Sequence, residues 1–109
     1  MGELSSTLDS LAGDDLHAMF APQLLARLGE LLRQQNRLAA EITRTVRECE
    51  LTGAAECDGL ATVQSWLRGH GQLSGPQASR LVSSGRALEH LPALAGAFAD
   101  GAVTAAQVE

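Results

Sequence analysis

From Leu24 to Cys49 apolar residues recur every three or four positions, and that period constrains the chain more than any other feature in it. Leu25, Leu28, Leu32, Gln35, Ala39, Ile42, Val46 and Cys49 fall on one face of an α-helix, with Gln35 the single polar member. Leu24, Leu31 and Leu38 widen that face beyond a two-stranded coiled-coil seam, which suits a helix packed in a globular bundle. The opposite side carries Arg27, Glu30, Arg33, Arg37, Glu41, Arg44, Arg47 and Glu48. Arg37 with Glu41 and Arg44 with Glu48 lie four apart and are expected to pair, each contributing roughly 0.2–0.5 kcal/mol. The pattern predicts one long helix over 22–52, opened by Pro22, with its leucines buried by the segments that follow. Gly29 is its weak internal point, costing about 1 kcal/mol relative to alanine.

The rest of the chain is punctuated by caps. Residues 1–21 form an N-terminal segment with short helical turns. Leu4, Leu8 and Leu11 share a face there, Ser5, Ser6 or Thr7 is a candidate cap, and Gly13 is the stop. Asp14 and Asp15 favour a second turn over Leu16 to Phe20. The domain proper is expected over 22–109. Gly53 suits the left-handed position past the long helix, and Ala54 to Gly59 reads as a loop. Short helices are then expected at about 60–68, 74–89, 92–100 and 104–109. Ser74-Gly-Pro-Gln77 and Thr104-Ala-Ala-Gln107 are both capping boxes. The helix from 74 should bury Ala78, Leu81, Val82, Gly85 and Leu88, with Gly85 admitting a close neighbour, and expose Arg80, Ser83, Arg86 and Glu89. Leu94, Ala95 and Phe98 point inward from the next one. The last helix has just begun at Glu109, so the domain is expected to be incomplete at its C-terminus. The fold class is all-α: one long amphipathic helix packed by several short helices.

Charge and composition narrow the functions open to such a module. The net charge is −5, and every basic residue is arginine. Ten acids face five arginines up to Gly59, and three face three beyond it. Neither half is the basic surface that a phosphate backbone attracts. No apolar run approaches the ~18–20 residues that span a bilayer, and no leader pattern opens the chain, so no membrane is expected and the location is read as cytoplasmic. Cys49 falls on the apolar stripe and Cys57 in the loop after it, without metal-site spacing.

The reactive residue types are scattered. His17, His70 and His90 lack HExxH, HxH or Cys-His spacing, and no GxSxG elbow accompanies the serines. Trp66 reads as a packing anchor in an otherwise aliphatic core. No catalytic residue, cofactor or metal is expected. One binding motif stands out: helix, glycine-containing turn, helix, with Ala97 and Gly101 at the four-residue offset of a helix-turn-helix. Asp100 and Gln107 fall where that motif has apolar residues. A DNA-binding module is therefore the alternative reading, and Arg68, Arg80 and Arg86 are the candidate DNA contacts.

A second signal is the order of short marks between Asp58 and Gln107. They are Asp58-Gly59, Ser65-Trp66-Leu67, Leu73-Ser74 with Ala78, Arg86-Ala87-Leu88, Leu91-Pro92, Ala99-Asp100-Gly101 and Val103-Thr104-Ala105-Ala106-Gln107. With the long helix included, the stretch from Leu24 to Glu109 resembles the N-terminal domain of unknown function, family two-two-two, of actinobacterial repeat proteins, many of which carry an HNH endonuclease motif near the C-terminus. The resemblance implies a helical module standing ahead of a nuclease domain. None of the HNH histidines has a counterpart in this chain. The expected function is non-catalytic: protein association, as a homo-oligomer or with a downstream nuclease domain, or positioning of that nuclease.

Overall fold

The computed structural model describes residues 1–108. They form six helices: α1 (Gly2–Ala12), α2 (Ala21–Thr52), α3 (Val63–Gly69), α4 (Gly75–Leu88), α5 (Pro92–Ala99) and α6 (Ala105–Val108). Single 3-10 turns occupy Leu16–Ala18 and Ala54–Asp58, and no strand occurs among the described residues. The fold is all-α, with the long helix α2 packed by α3, α4 and α5. Among the described residues no helix is long and apolar enough to cross a membrane. Contacts divide the chain into two compact units, Met1–Leu31 and Leu32–Glu109. The division lies within α2, ten residues beyond the boundary expected after residue 21.

In the first unit, α1 starts earlier than its capping residues suggested. Met1 is its N-cap, without a side-chain bond, so Ser5, Ser6 and Thr7 lie inside the helix. Thr7 Oγ1 donates back to the Glu3 carbonyl at 3.0 Å. Asp15 caps the 3-10 turn by accepting the His17 N–H at 3.1 Å. The Phe20 N–H, just ahead of α2, donates to Gln23 Oε1 at 2.9 Å. Arg27 ties the turn to α2, bonding Asp14 Oδ2 at 2.6 Å and the Leu11 carbonyl at 3.0 Å.

The second unit holds the core. Val46, Val63, Leu67, Ala78 and Val82 form one buried cluster, and Cys49, Trp66, Leu73 and Leu81 pack against it. Phe98 is 1% exposed. The local signals that set these helices act as read from the sequence. Ser74 and Gln77 bond reciprocally at the start of α4. Thr104 and Gln107 do the same at α6, at 2.8 and 3.2 Å. Helix α3 begins at Val63 and not near residue 60, because the Thr62 side chain accepts the Ser65 N–H at 3.2 Å and fixes the start there.

Two glycines set how closely the helices meet. A Cβ on Gly85 would lie 3.2 Å from Arg47 Cβ and 3.4 Å from the Thr43 carbonyl, so α4 rests directly on the α2 backbone. Gly101, at φ +79°, puts the turn after α5 against α2, where a Cβ would meet the Arg33 carbonyl oxygen at 2.7 Å. Asn36 Nδ2 and Arg33 Nε donate to the carbonyls of Gly101 and Asp100, each at 3.4 Å.

The leucines and Ile42 of the α2 stripe are not buried, which corrects the sequence expectation, while its Ala39, Val46 and Cys49 do turn inward. Ala40, Thr43 and Val46 are the buried residues of the helix, and Asn36, Ala39, Arg47, Cys49 and Glu50 are half-buried. Leu24, Leu25, Leu28, Leu31, Leu32, Leu38 and Ile42 are all exposed. Over the second half of α2 the reason is steric: a contact as close as that at Gly85 admits small residues opposite it and has no room for leucine. The buried face is thereby shifted round the helix, and Arg47, expected in solvent, is carried inward. The expected ion pairs also change. Arg44 bonds Glu41 at 2.7 Å in place of Glu48, and Arg37 bonds Gln34 at 3.4 Å in place of Glu41. An acid on the N-terminal side of its arginine is the favoured order along a helix, consistent with the Glu41–Arg44 choice.

Candidate functional site

The residue types that could do chemistry are dispersed over this fold. His17, His70 and His90 are all exposed. His70 stacks on Trp66 with ring centroids 5.4 Å apart, and Trp66 Nε1 donates to Asp58 Oδ2 at 2.6 Å. Trp66 is thus a half-buried anchor held by a polar tether as well as by packing. Cys49 and Cys57 are free thiols, the first half-buried and the second exposed. Among the described residues no three His, Cys, Asp or Glu side chains gather where a metal ion could bind.

The three arginines proposed as DNA contacts occupy different settings. Arg68 sits in the last turn of α3, with its Nε 3.9 Å from where a Cβ on Gly75 would be, beside the start of α4. Arg80 and Arg86 are both exposed on α4, but six residues at ~100° each turn them about 120° apart. Arg86 is also engaged: its Nε donates to Glu50 Oε1 at 2.9 Å and its Nη2 to Glu50 Oε2. The fold does not align the pair on α4 into one basic row.

Arg86 belongs to a four-residue ion network that has no signature in the sequence. Arg47 clasps Glu89 with two bonds of 2.6 and 2.9 Å and reaches Glu50 at 2.5 Å. Glu50, held by Arg86 first and Arg47 second, titrates below the ordinary carboxylate range. Glu89 is lowered likewise by its bonds to Arg47, and both arginines are raised by their carboxylate partners. The network fastens the second half of α2 to α4. It is a clamp with its charges matched, two against two.

Two shallow grooves flank Phe98. One, of about 270 Å³, is lined by Thr43, Arg44, Arg47, Gly85, Leu88 and Phe98. The other, of about 250 Å³, is lined by Ile42, Leu73, Leu81, Phe98 and Ala105. Both are mainly apolar and open to solvent; the first is also rimmed by Glu41, Arg44, Arg47, Glu48 and Glu89, among which Arg44 pairs with Glu41 and Arg47 with Glu89.

The marks on which the family resemblance rests are joints of the second unit. Asp58 holds Trp66, Leu67 and Ala78 are in the core, and Ser74 caps α4. Arg86 clamps Glu50, Pro92 opens α5, Gly101 meets α2, and Thr104 with Gln107 opens α6. The exposed leucines lie along α1 and α2, the latter including Leu51, with Leu16 in the 3-10 turn between them and Leu91 ahead of α5. Sequence reasoning assigned the α2 leucines from Leu24 to Leu38 to the interior and made no such assignment for the others. In comparisons with known proteins, the chain matches no family model, no curated protein and no solved structure.

Proposed function

We propose that this chain is a non-catalytic helical module that works by protein association, bringing together copies of itself and any domain joined to its C-terminus. The observation that carries the reading is the bared leucine surface of α1 and α2, with Leu25 at 68% and Leu28 at 52% exposure. Large apolar side chains clustered in solvent are the mark of a surface awaiting cover. The resemblance of Leu24 to Glu109 to the helical domain ahead of HNH nucleases supports a further step, in which the passenger held in place is a nuclease. Association is preferred to DNA reading because Arg86 is engaged by Glu50 and the acids outnumber the basic residues.

The test joins the chain to the N-terminus of a monomeric reporter and measures the mass by light scattering. At about 100 µM, a range in which weak but specific complexes form, the fusion is expected to be a multiple of its own mass. A fusion that stays monomeric would contradict the reading.

A further inference from the structure

We infer that the unit Met1–Leu31 is a pairing element whose partner is the same unit of a second copy of this chain. The inference rests on the association reading above and adds the place, the partner and the stoichiometry.

No residue of this unit is buried; Leu11, Met19 and Arg27 are half-buried and the rest are exposed. α1 is eleven residues long with no core of its own to hold it folded in water, and residues 21–31 are the uncovered end of α2. Their apolar residues are nevertheless arranged. Leu4, Leu8 and Leu11 on α1, and Leu24, Leu28 and Leu31 on α2, each step by four and then three. That is the spacing with which helices of a bundle seat one another, and a surface built from it on two helices can meet its own copy across a two-fold axis.

Area and charge both select a second copy. Taking roughly 100 Å² for each fully bared aliphatic side chain, the exposed large apolar residues of this unit offer on the order of 500 Å². A stable dimer buries about 800 Å² per partner, a little over half of it apolar, which one copy of this unit reaches when Leu16, Phe20 and Leu25 are covered together with the two leucine lines. The acids stand clear of the seam. At ~100° per residue, Glu3 and Asp9 lie roughly 100° or more round α1 from the leucine line, and Glu30 as far round α2. Asp14 is already matched by Arg27, and Asp15 is turned to the His17 N–H that it caps. Two copies can therefore join their leucines without setting carboxylates face to face.

Sedimentation equilibrium of the full chain tests this, on wild type, on Leu24→Glu/Leu28→Glu, and on Leu51→Glu/Leu91→Glu as the control outside the unit. All four side chains are exposed, so each variant is expected to keep the circular dichroism and unfolding midpoint of the second unit. Wild type is expected to fit monomer–dimer, with the first pair weakening it at least about 100-fold and the control less than about threefold. Raising the salt to about 1 M is expected to leave the dimer intact, since no ion pair holds it. A wild-type assembly that is not a dimer, or a dimer that survives the first pair or falls to the control, overturns the inference and leaves the association reading standing. A wild type that is monomeric at about 1 mM overturns the second copy as the occupant, and a monomeric reporter fusion beside it ends the association reading as well.

Discussion

The two units are built from the same helix-forming alphabet and make opposite use of it. In residues 32–108 the buried positions belong mostly to small residues, alanine, valine, threonine, serine and glycine, with one leucine, Leu67, and one phenylalanine, Phe98, and capping boxes and close approaches at Gly85 and Gly101 fix the helices around them. In residues 1–31 leucine is plentiful and nothing is buried. Apolar content alone therefore does not make a core. A core forms where small residues let backbones come together; leucines without a facing element remain a surface.

The largest effect that would sharpen this contrast is at Phe98, in the second unit. Phe98→Ala is expected to cost about 3–5 kcal/mol, measured by denaturant unfolding, because it empties the most buried large side chain. Leu25→Ala in the dilute chain is expected to stay within about 0.5 kcal/mol. Equal losses would break the comparison. Next comes Gly101→Ala, expected to cost roughly 1–3 kcal/mol, since the new Cβ meets the Arg33 carbonyl and the backbone sits at φ +79°. An unchanged midpoint would mean that the turn does not seat on α2 as described.

Gly29→Ala acts in the opposite direction. Nothing lies within 4 Å of a Cβ there, so helix propensity alone decides, and a gain of about 1 kcal/mol in helix stability is expected by circular dichroism of the dilute chain. A loss would reveal a close contact on α2. The smallest effect is the pH response of the Arg47–Glu50–Arg86–Glu89 clamp, whose exposed members are screened by solvent. Glu50 and Glu89 titrate below their unfolded values, so their contribution is complete above the ordinary carboxylate range and is lost as pH falls through the lowered values. The unfolding midpoint of wild type is expected to drop on acidification through that window, and Glu50→Gln to flatten the drop. Parallel curves would contradict the role given to the clamp.

What could be read from the sequence follows the range of each signal. The Ser74–Gln77 and Thr104–Gln107 boxes, Pro92 in the first turn of α5 and the left-handed Gly53 were all legible, because each is decided within four residues. The face of α4 was legible too, with Ala78, Val82 and Gly85 buried and Arg80 and Arg86 outside. The face of α2 was legible only in part, at Ala39, Val46 and Cys49. Amphipathic spacing says that leucines need cover and does not say whether the cover lies in the same chain, so the inner side went unrecognised at Ala40 and Thr43. The clamp was hidden for another reason: Arg47 and Glu89 are 42 residues apart and meet only once α4 is seated. Of the candidate site, the leucines themselves were visible and their exposure was not.

Amide hydrogen exchange followed at two concentrations tests the central claim most directly, since it reads the two units separately in one sample. In dilute, monomeric chain, amides of α1 and of residues 21–31 are expected to exchange nearly as fast as unfolded peptide, while those around Val46, Val82 and Phe98 are strongly protected. In concentrated chain the first set is expected to gain protection and the second to stay as it was. Equal protection of both units in the dilute chain, unchanged on concentration, would contradict the claim that residues 1–31 depend on a second copy for their cover.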